Sequence, residues 1–233
     1  MPELRTKEKG EKMTAVEDLY SVRASARSGV QELGLRQRHK IDKLQRITDA
    51  AETLFGTHGY DGTTLRDIAK QAGIALGTLS LYASDKRDLI LLIFNKTIPP
   101  LVEQGRLRTS PKGKLADNMR TYFEPFYQAY SNNLTLYRIV LSYGNLAGDA
   151  SIHTKEFDRT RVTIHTILGD LILRARANGE CSAAGDLEFQ ARAFFYLYFA
   201  AVRRWIVGPE PTVEAGLREL QNLFTLLVNG MKA

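Results

Sequence analysis

From Ile41 the apolar positions recur as Ile41, Leu44, Ile47, Ala51, Leu54 and Phe55, the three-and-four spacing of one helical face, and the run stops at Gly56 and Gly59. Thr64-Leu65-Arg66-Asp67 follows at capping-box spacing, so a second helix is predicted to start near Thr64 with Leu65, Ile68 and Ala69 as its buried face. Gly73 suits the left-handed residue that closes such a helix, Ile74 can plug the corner, and a short third helix is predicted over Ala75 to Tyr82. Ser84 or Asp85 can cap the helix after it, which Pro99-Pro100 should end or kink near Ile98. Helical patterns continue over Lys112 to Tyr130, Leu134 to Leu146, His153 to Ala177 with Asn178-Gly179 as its stop, Asp186 to Gly208, and Thr212 to Met231. No strand alternation of useful length interrupts them, so the fold class is all-α.

Residues 1–35 lack sustained periodicity and hold many Arg, Lys, Glu, Ser and Gly; they read as a mobile arm, with a short helix around Val16 to Arg27 and Met13 as an alternative start. The 233 residues, 44% hydrophobic and 25% charged, are enough for a substantial core. One cysteine, Cys181, excludes a disulfide framework and fits a reducing compartment. The chain lacks both a membrane-length apolar stretch and the apolar core of a signal peptide, so the expected location is cytoplasmic. A net charge of +6 permits a nucleic-acid partner without arguing for one. Clustering says more: Arg36, Arg38, Lys40, Lys43 and Arg46 face only Asp42 at the entrance to the first clear helix.

Two short helices joined by Ala72-Gly73 make a helix-turn-helix pattern, whose second helix offers its N-terminal half to the DNA major groove. Gly77 lets a phosphate or base edge approach the backbone, Thr78 brings a hydroxyl and a methyl, and Tyr82 a phenol, while Leu79 faces inward. Lys86 lies where an ammonium can reach a phosphate. For each residue taken singly, close helix packing at Gly77 or core cover at Tyr82 is an equally good account; the combination favours the groove.

Phe55, Gly59, Tyr60, Thr63, Thr64, Ile68, Ala69, Ala72, Gly73, Ile74, Gly77, Thr78, Leu79, Tyr82 and Lys86 together resemble the pattern of the TetR family of transcriptional regulators. The resemblance is strong over about residues 41–100 and rests beyond that on helical pattern and length. It implies an N-terminal three-helix helix-turn-helix DNA-binding domain (36–88) and a C-terminal helical domain for effector binding and dimerisation (89–233). The DNA-facing residues it implies are Arg38, Lys40, Thr64, Leu76, Gly77, Thr78, Ser80, Tyr82 and Lys86. Ala75, Leu76, Ser80 and Ala83 depart from the family's usual serine, polar residue, tyrosine and phenylalanine.

The last two helices are apolar on more than one side, which a two-fold dimer meeting as a four-helix bundle would bury. The candidate interface is Phe195, Phe199, Val202, Val213, Leu217, Leu220, Phe224 and Leu227. Tyr122, Phe126, Tyr127, Tyr137 and Tyr143, with Phe194 and Tyr198 closing one side, are candidates for an effector cavity, since tyrosines offer both apolar wall and hydroxyl handle. His165 joins them on the apolar face of its helix. His153 with Glu156 lacks a third metal ligand, and no metal or cofactor is expected. With no nucleophile elbow, phosphate loop or dinucleotide fingerprint, an enzyme is not expected. The expected function is a ligand-responsive DNA-binding regulator, most simply a repressor that a small, largely apolar or aromatic effector releases from operator DNA. The alternative is an effector-independent regulator or an architectural DNA-binding protein, which would fill the cavity.

Overall fold

A computed structural model of the chain describes residues 35–143, 151–182 and 184–231. The expected arm up to residue 34, with its short helix at 16–27, and residues 144–146 lie outside the described residues, as do the side chains of Arg36 and Tyr143. Among the described residues there are nine helices and no strand: α1 (Leu35–His58), α2 (Leu65–Gln71), α3 (Leu76–Leu79), α4 (Lys86–Arg108), α5 (Leu115–Ser131), α6 (Leu134–Tyr143), α7 (Ile152–Ala177), α8 (Leu187–Ile206) and α9 (Val213–Gly230). Their contacts divide into two units. The first takes the described residues up to Asn95 together with Ser142–Phe157, and the second Lys96–Leu141 with Asp158–Ala233. Helices α4, α6 and α7 therefore each have residues in both.

In the first unit α1 packs on α2, and α2 on α3. Leu44, Ile47, Ala51, Leu54 and Phe55 of α1 are buried, as are Ile68, Ala69 and Leu79. Each large aliphatic so buried contributes about 1.5–3 kcal/mol. Polar caps fix the short elements. Thr64 accepts from the Asp67 amide at 3.2 Å while its own amide donates to the Asp67 carboxylate at 3.2 Å. These Thr64 hydrogen bonds hold the Asp67 carboxyl below the usual range. Buried Thr63 donates its hydroxyl to the carbonyls of Leu54 (3.2 Å) and Gly59 (2.8 Å), closing the end of α1. Gly73 takes a φ of 64°, and the Ile74 amide then reaches back to the Ala69 carbonyl at 3.0 Å. Asp85, one of the two expected caps, accepts from the Asp88 amide at 2.8 Å at the head of α4.

The helix after that cap does not stop at the prolines: α4 runs from Lys86 to Arg108 with Pro99 and Pro100 inside it. Two interior prolines cost several kcal/mol of helix. Ile98 and Val102, buried on either side of the pair, show that side-chain packing holds the segment where local propensity would end it.

In the second unit α5 packs against α8 and α9, and α9 against α8. Lys114 gives α5 no side-chain cap; the Glu180 carboxylate does so instead, both oxygens accepting from the Leu115 amide at 2.9 Å. Asp186 and Thr212 cap α8 and α9, and Arg138 donates to the Ile206 carbonyl at 2.8 Å where α8 ends.

One expectation for these helices is corrected. Val202, Leu217, Leu220 and Phe224 are 0–3% exposed in the single chain, so they have no surface left for a second chain and belong to the unit's own core. Phe224 meets Phe194 at 5.2 Å between ring centroids. The stripe is apolar, and its partners are α5 and α8. Phe195, Phe199, Val213 and Leu227 remain partly exposed, and Leu226 is 72% exposed.

Candidate DNA-binding interface

Helix α3 is four residues long, too short to persist without support. It is held from below by Leu79, Tyr82 and Ala83, all buried. What remains outward is Ala75, Leu76 (40% exposed) and Gly77, with Thr78 and Ser80 half-buried. Ala75 gives the helix no side-chain cap. A Cβ built on Gly77 would meet nothing within 4 Å. Close packing within the chain therefore does not account for this glycine.

Tyr82 is 6% exposed, so most of its ring is core, and burial pushes its phenol above the ordinary value, which keeps the hydroxyl protonated. The ring covers the base of α3, the reading that residue type and position left equally open. Lys86 is half-buried; its Nζ donates to the Tyr60 carbonyl at 2.6 Å and lies 4.4 Å from the centre of the Tyr60 ring. It ties the head of α4 to the loop after α1. Arg38 is exposed and Lys40 half-buried near the start of α1, and Thr64 is exposed with its hydroxyl committed to Asp67.

Two residues of this unit have roles that sequence reasoning missed. Arg46, counted in the basic entry, donates to the carbonyls of Ala72 and Gly73 (3.0 Å to the latter), pinning the turn of the motif. His153, weighed only as a metal ligand, is 2% exposed with Nε2 2.7 Å from the Tyr82 carbonyl. Its own carbonyl accepts from Asn95 Nδ2 at 3.0 Å, and Phe94 and Phe157 pack at 4.6 Å beside it. No local signal links positions 71 residues apart. Among the described residues no group of three metal-ligating side chains gathers.

In the second unit, Tyr122, Phe126, Tyr127, Phe194 and Tyr198 come together as one buried aromatic cluster, with Phe123 stacked on Tyr198 at 3.9 Å. Tyr137 is joined to it through Tyr130 at 4.6 Å. The Tyr130 and Tyr198 hydroxyls are 3.2 Å apart, whereas those of Tyr122 and Tyr127 meet no partner among the described residues. Burial pushes all four phenols up. His165 is placed differently, edge-on to Phe195 at 5.0 Å, and burial followed by Arg161 and Arg192 pulls its imidazole below the ordinary value.

Comparison with known proteins agrees with this architecture. Residues 47–93, from the middle of α1 to the head of α4, match the family described as "Bacterial regulatory proteins, tetR family". The "Fatty acid metabolism regulator protein" of Bacillus subtilis (strain 168) is 25% identical over 200 residues, 83% of this chain and 98% of its own. Two solved structures share the fold. The transcriptional regulator FadR from Bacillus subtilis in complex with stearoyl-CoA has a TM-score of 0.64 at 19% identity, covering 80% of this chain and 98% of that one. Thermus thermophilus FadR, a TetR family transcriptional repressor in complex with lauroyl-CoA, has 0.62 at 21% identity, covering 82% and 95%. The capped helix-turn-helix thus lies within the residues that match the tetR family model, and the chain is similar along most of its length to a bacterial regulator and shares the fold of solved TetR-type regulators.

Proposed function

We propose that this protein is a sequence-specific DNA-binding repressor that works as a homodimer in the cytoplasm and leaves its operator when a long-chain acyl-CoA binds. The outward α3 face at Leu76 and Gly77, with a glycine that nothing in the chain requires, is the observation that carries the DNA-binding reading. Leu76 can lie against a thymine methyl, Thr78 and Ser80 can reach phosphate or base edges, and Arg38, Lys40 and Lys86 supply charge for the backbone. Lys86 has one of its three donors committed to Tyr60, which aims the ammonium rather than removing it.

The acyl-CoA reading draws on the relatives solved with stearoyl-CoA and lauroyl-CoA. It narrows the expected apolar or aromatic effector. The Tyr122–Tyr198 cluster supplies apolar wall, and the unmatched hydroxyls of Tyr122 and Tyr127 are donors that an acyl thioester or amide carbonyl could satisfy. Dimer formation is supported by the partly exposed apolar groove of Phe189, Leu197, Leu223, Leu226 and Leu227 on α8 and α9. A two-fold pair of α3 helices about 34–36 Å apart would meet successive major grooves. An effector that prefers the wider pair by about 100-fold, near 2.7 kcal/mol, is enough to empty the operator.

The test is selection of duplexes from fragmented genomic DNA by the purified protein, followed by titration with lauroyl-CoA. Enrichment of a palindromic site and its release by lauroyl-CoA are expected, and Lys86→Ala should lower the salt slope of binding by about one unit. No enriched site would overturn the DNA-binding reading. A site enriched but indifferent to acyl-CoA would favour an effector-independent regulator.

A further inference from the structure

The Tyr82 carbonyl lies three residues past α3, at the end of the turn in which the Leu81, Tyr82 and Ala83 amides bond back to Thr78 and Leu79. His153 Nε2 approaches it at 2.7 Å in a buried setting. A carbonyl only accepts, so the imidazole carries its proton on Nε2. His153 is the second residue of α7, whose first turn Ser151 caps by accepting from the Thr154 amide at 3.2 Å. The Asn95 side chain meanwhile donates to the His153 carbonyl at 3.0 Å, and Phe157, one turn along α7, packs on Phe94. The first turn of α7 is thus stitched to the end of the recognition element and to α4 within the first unit, while α7 itself runs on to Ala177.

We infer that His153 is a positioning residue for DNA recognition: its imidazole fixes the pose of α3 through the Tyr82 carbonyl, and so makes α7 a second arm, besides α4, that acts on DNA reading. This rests on the reading of the chain as a DNA-binding regulator. A four-residue helix has almost no rigidity of its own. Leu79, Tyr82 and Ala83 fix its depth by apolar burial, which is non-directional. The imidazole supplies the directional contact, and it comes from a helix that contributes no residue to the outward face. Displacement of the first turn of α7 by one side-chain length breaks the bond and releases the end of α3 without unfolding α1 or α2.

Two variants separate positioning from simple support. His153→Leu fills the space and removes the donor; His153→Gln restores a donor at about the same reach. His153→Leu should bind the selected operator about ten-fold more weakly, the worth of one buried hydrogen bond. Its amides at Thr78 to Ala83 should exchange faster, with α9 protection unchanged, and His153→Gln should recover both. Wild-type affinity and exchange in His153→Leu would overturn the inference, as would equal weakening in both variants. For the wild-type protein, nitrogen NMR of the His153 ring should show the Nε2–H form; the Nδ1–H form would overturn the link even if neither variant folded. A wild-type protein that selects no DNA would sink the repressor reading, and the exchange and ring measurements would still decide whether the bond holds α3.

Discussion

The two units are built on opposite uses of side-chain size. In the first, small and polar residues set the geometry: Thr63, Thr64, Gly73 and Asp85 each fix one helix end, and Gly77 leaves a surface open. In the second, large rings do, with Phe123, Phe126, Phe194 and Tyr198 filling space against one another. Surface shape in the first is set residue by residue, so a single substitution should alter binding and spare stability. The interior of the second is set by summed volume, so a single substitution should do the reverse.

The largest effect should come from charging that interior. Leu220→Asp places a carboxylate at a position with 0% exposure and should cost several kcal/mol, abolishing the cooperative thermal transition seen by circular dichroism. Leu226→Asp, on the 72% exposed position one turn and a half further along α9, should leave the fold's stability within about 0.5 kcal/mol. In sedimentation it should shift the protein from dimer to monomer. Dimers of Leu226→Asp would put the interface on another face.

The two glycines sharpen the contrast next. A Cβ at Gly216 would lie 2.5 Å from the Tyr127 ring and 2.8 Å from the Trp205 ring, so Gly216→Ala should lower stability by about 1–3 kcal/mol. Gly77→Ala meets open space and should raise stability by about 0.5 kcal/mol while weakening operator binding. Paired urea titrations and binding curves check both; a stable Gly216→Ala would mean the ring contacts yield easily.

Tyr127→Phe deletes a buried hydroxyl that meets no partner among the described residues and should stabilise the protein by about 1 kcal/mol, read as a shift in the urea midpoint. Lauroyl-CoA should then release the operator less well if that hydroxyl serves the effector.

The smallest effect is a pH dependence. His165 in the folded protein sits below its ordinary value of 6.5, so the unfolded chain binds its proton first. Stability should therefore fall as pH drops below about 6.5 and be unaffected above it. His165→Phe should flatten the profile; an unchanged slope between pH 7 and 5 would assign it to other groups.

The same contrast explains what the sequence disclosed. Capping and turn chemistry depends on residue type at fixed short spacing, so α2, its Thr64–Asp67 box and the Gly73 turn could be read directly. The limits of α5, α7, α8 and α9 followed within a few residues from periodicity and from Asp186, Thr212 and Gly179, while the expected end of α6 at Leu146 lies outside the described residues. Periodicity shows that a face is apolar but not what covers it, and this is why Leu220 and Phe224 were assigned to a partner chain when α5 and α8 cover them. Pro99-Pro100 misled because burial at Ile98 and Val102 is a tertiary effect. Arg46 and His153 act on backbone carbonyls 26 to 71 residues away, contacts that leave no mark in a local pattern.

The first unit is discontinuous along the chain: the described residues of Ser142–Phe157 belong with those up to Asn95. This bears on protein engineering. A DNA-binding module excised with one cut after α4 would lack His153 and Phe157, and would expose Phe94 and the end of the recognition element to water. Chimeras that graft this motif onto another sensor should therefore carry the first turn of α7 as well, or supply a histidine from the recipient at the same place. Exchange of the second unit is a three-junction splice, with crossings after Asn95, Leu141 and Phe157.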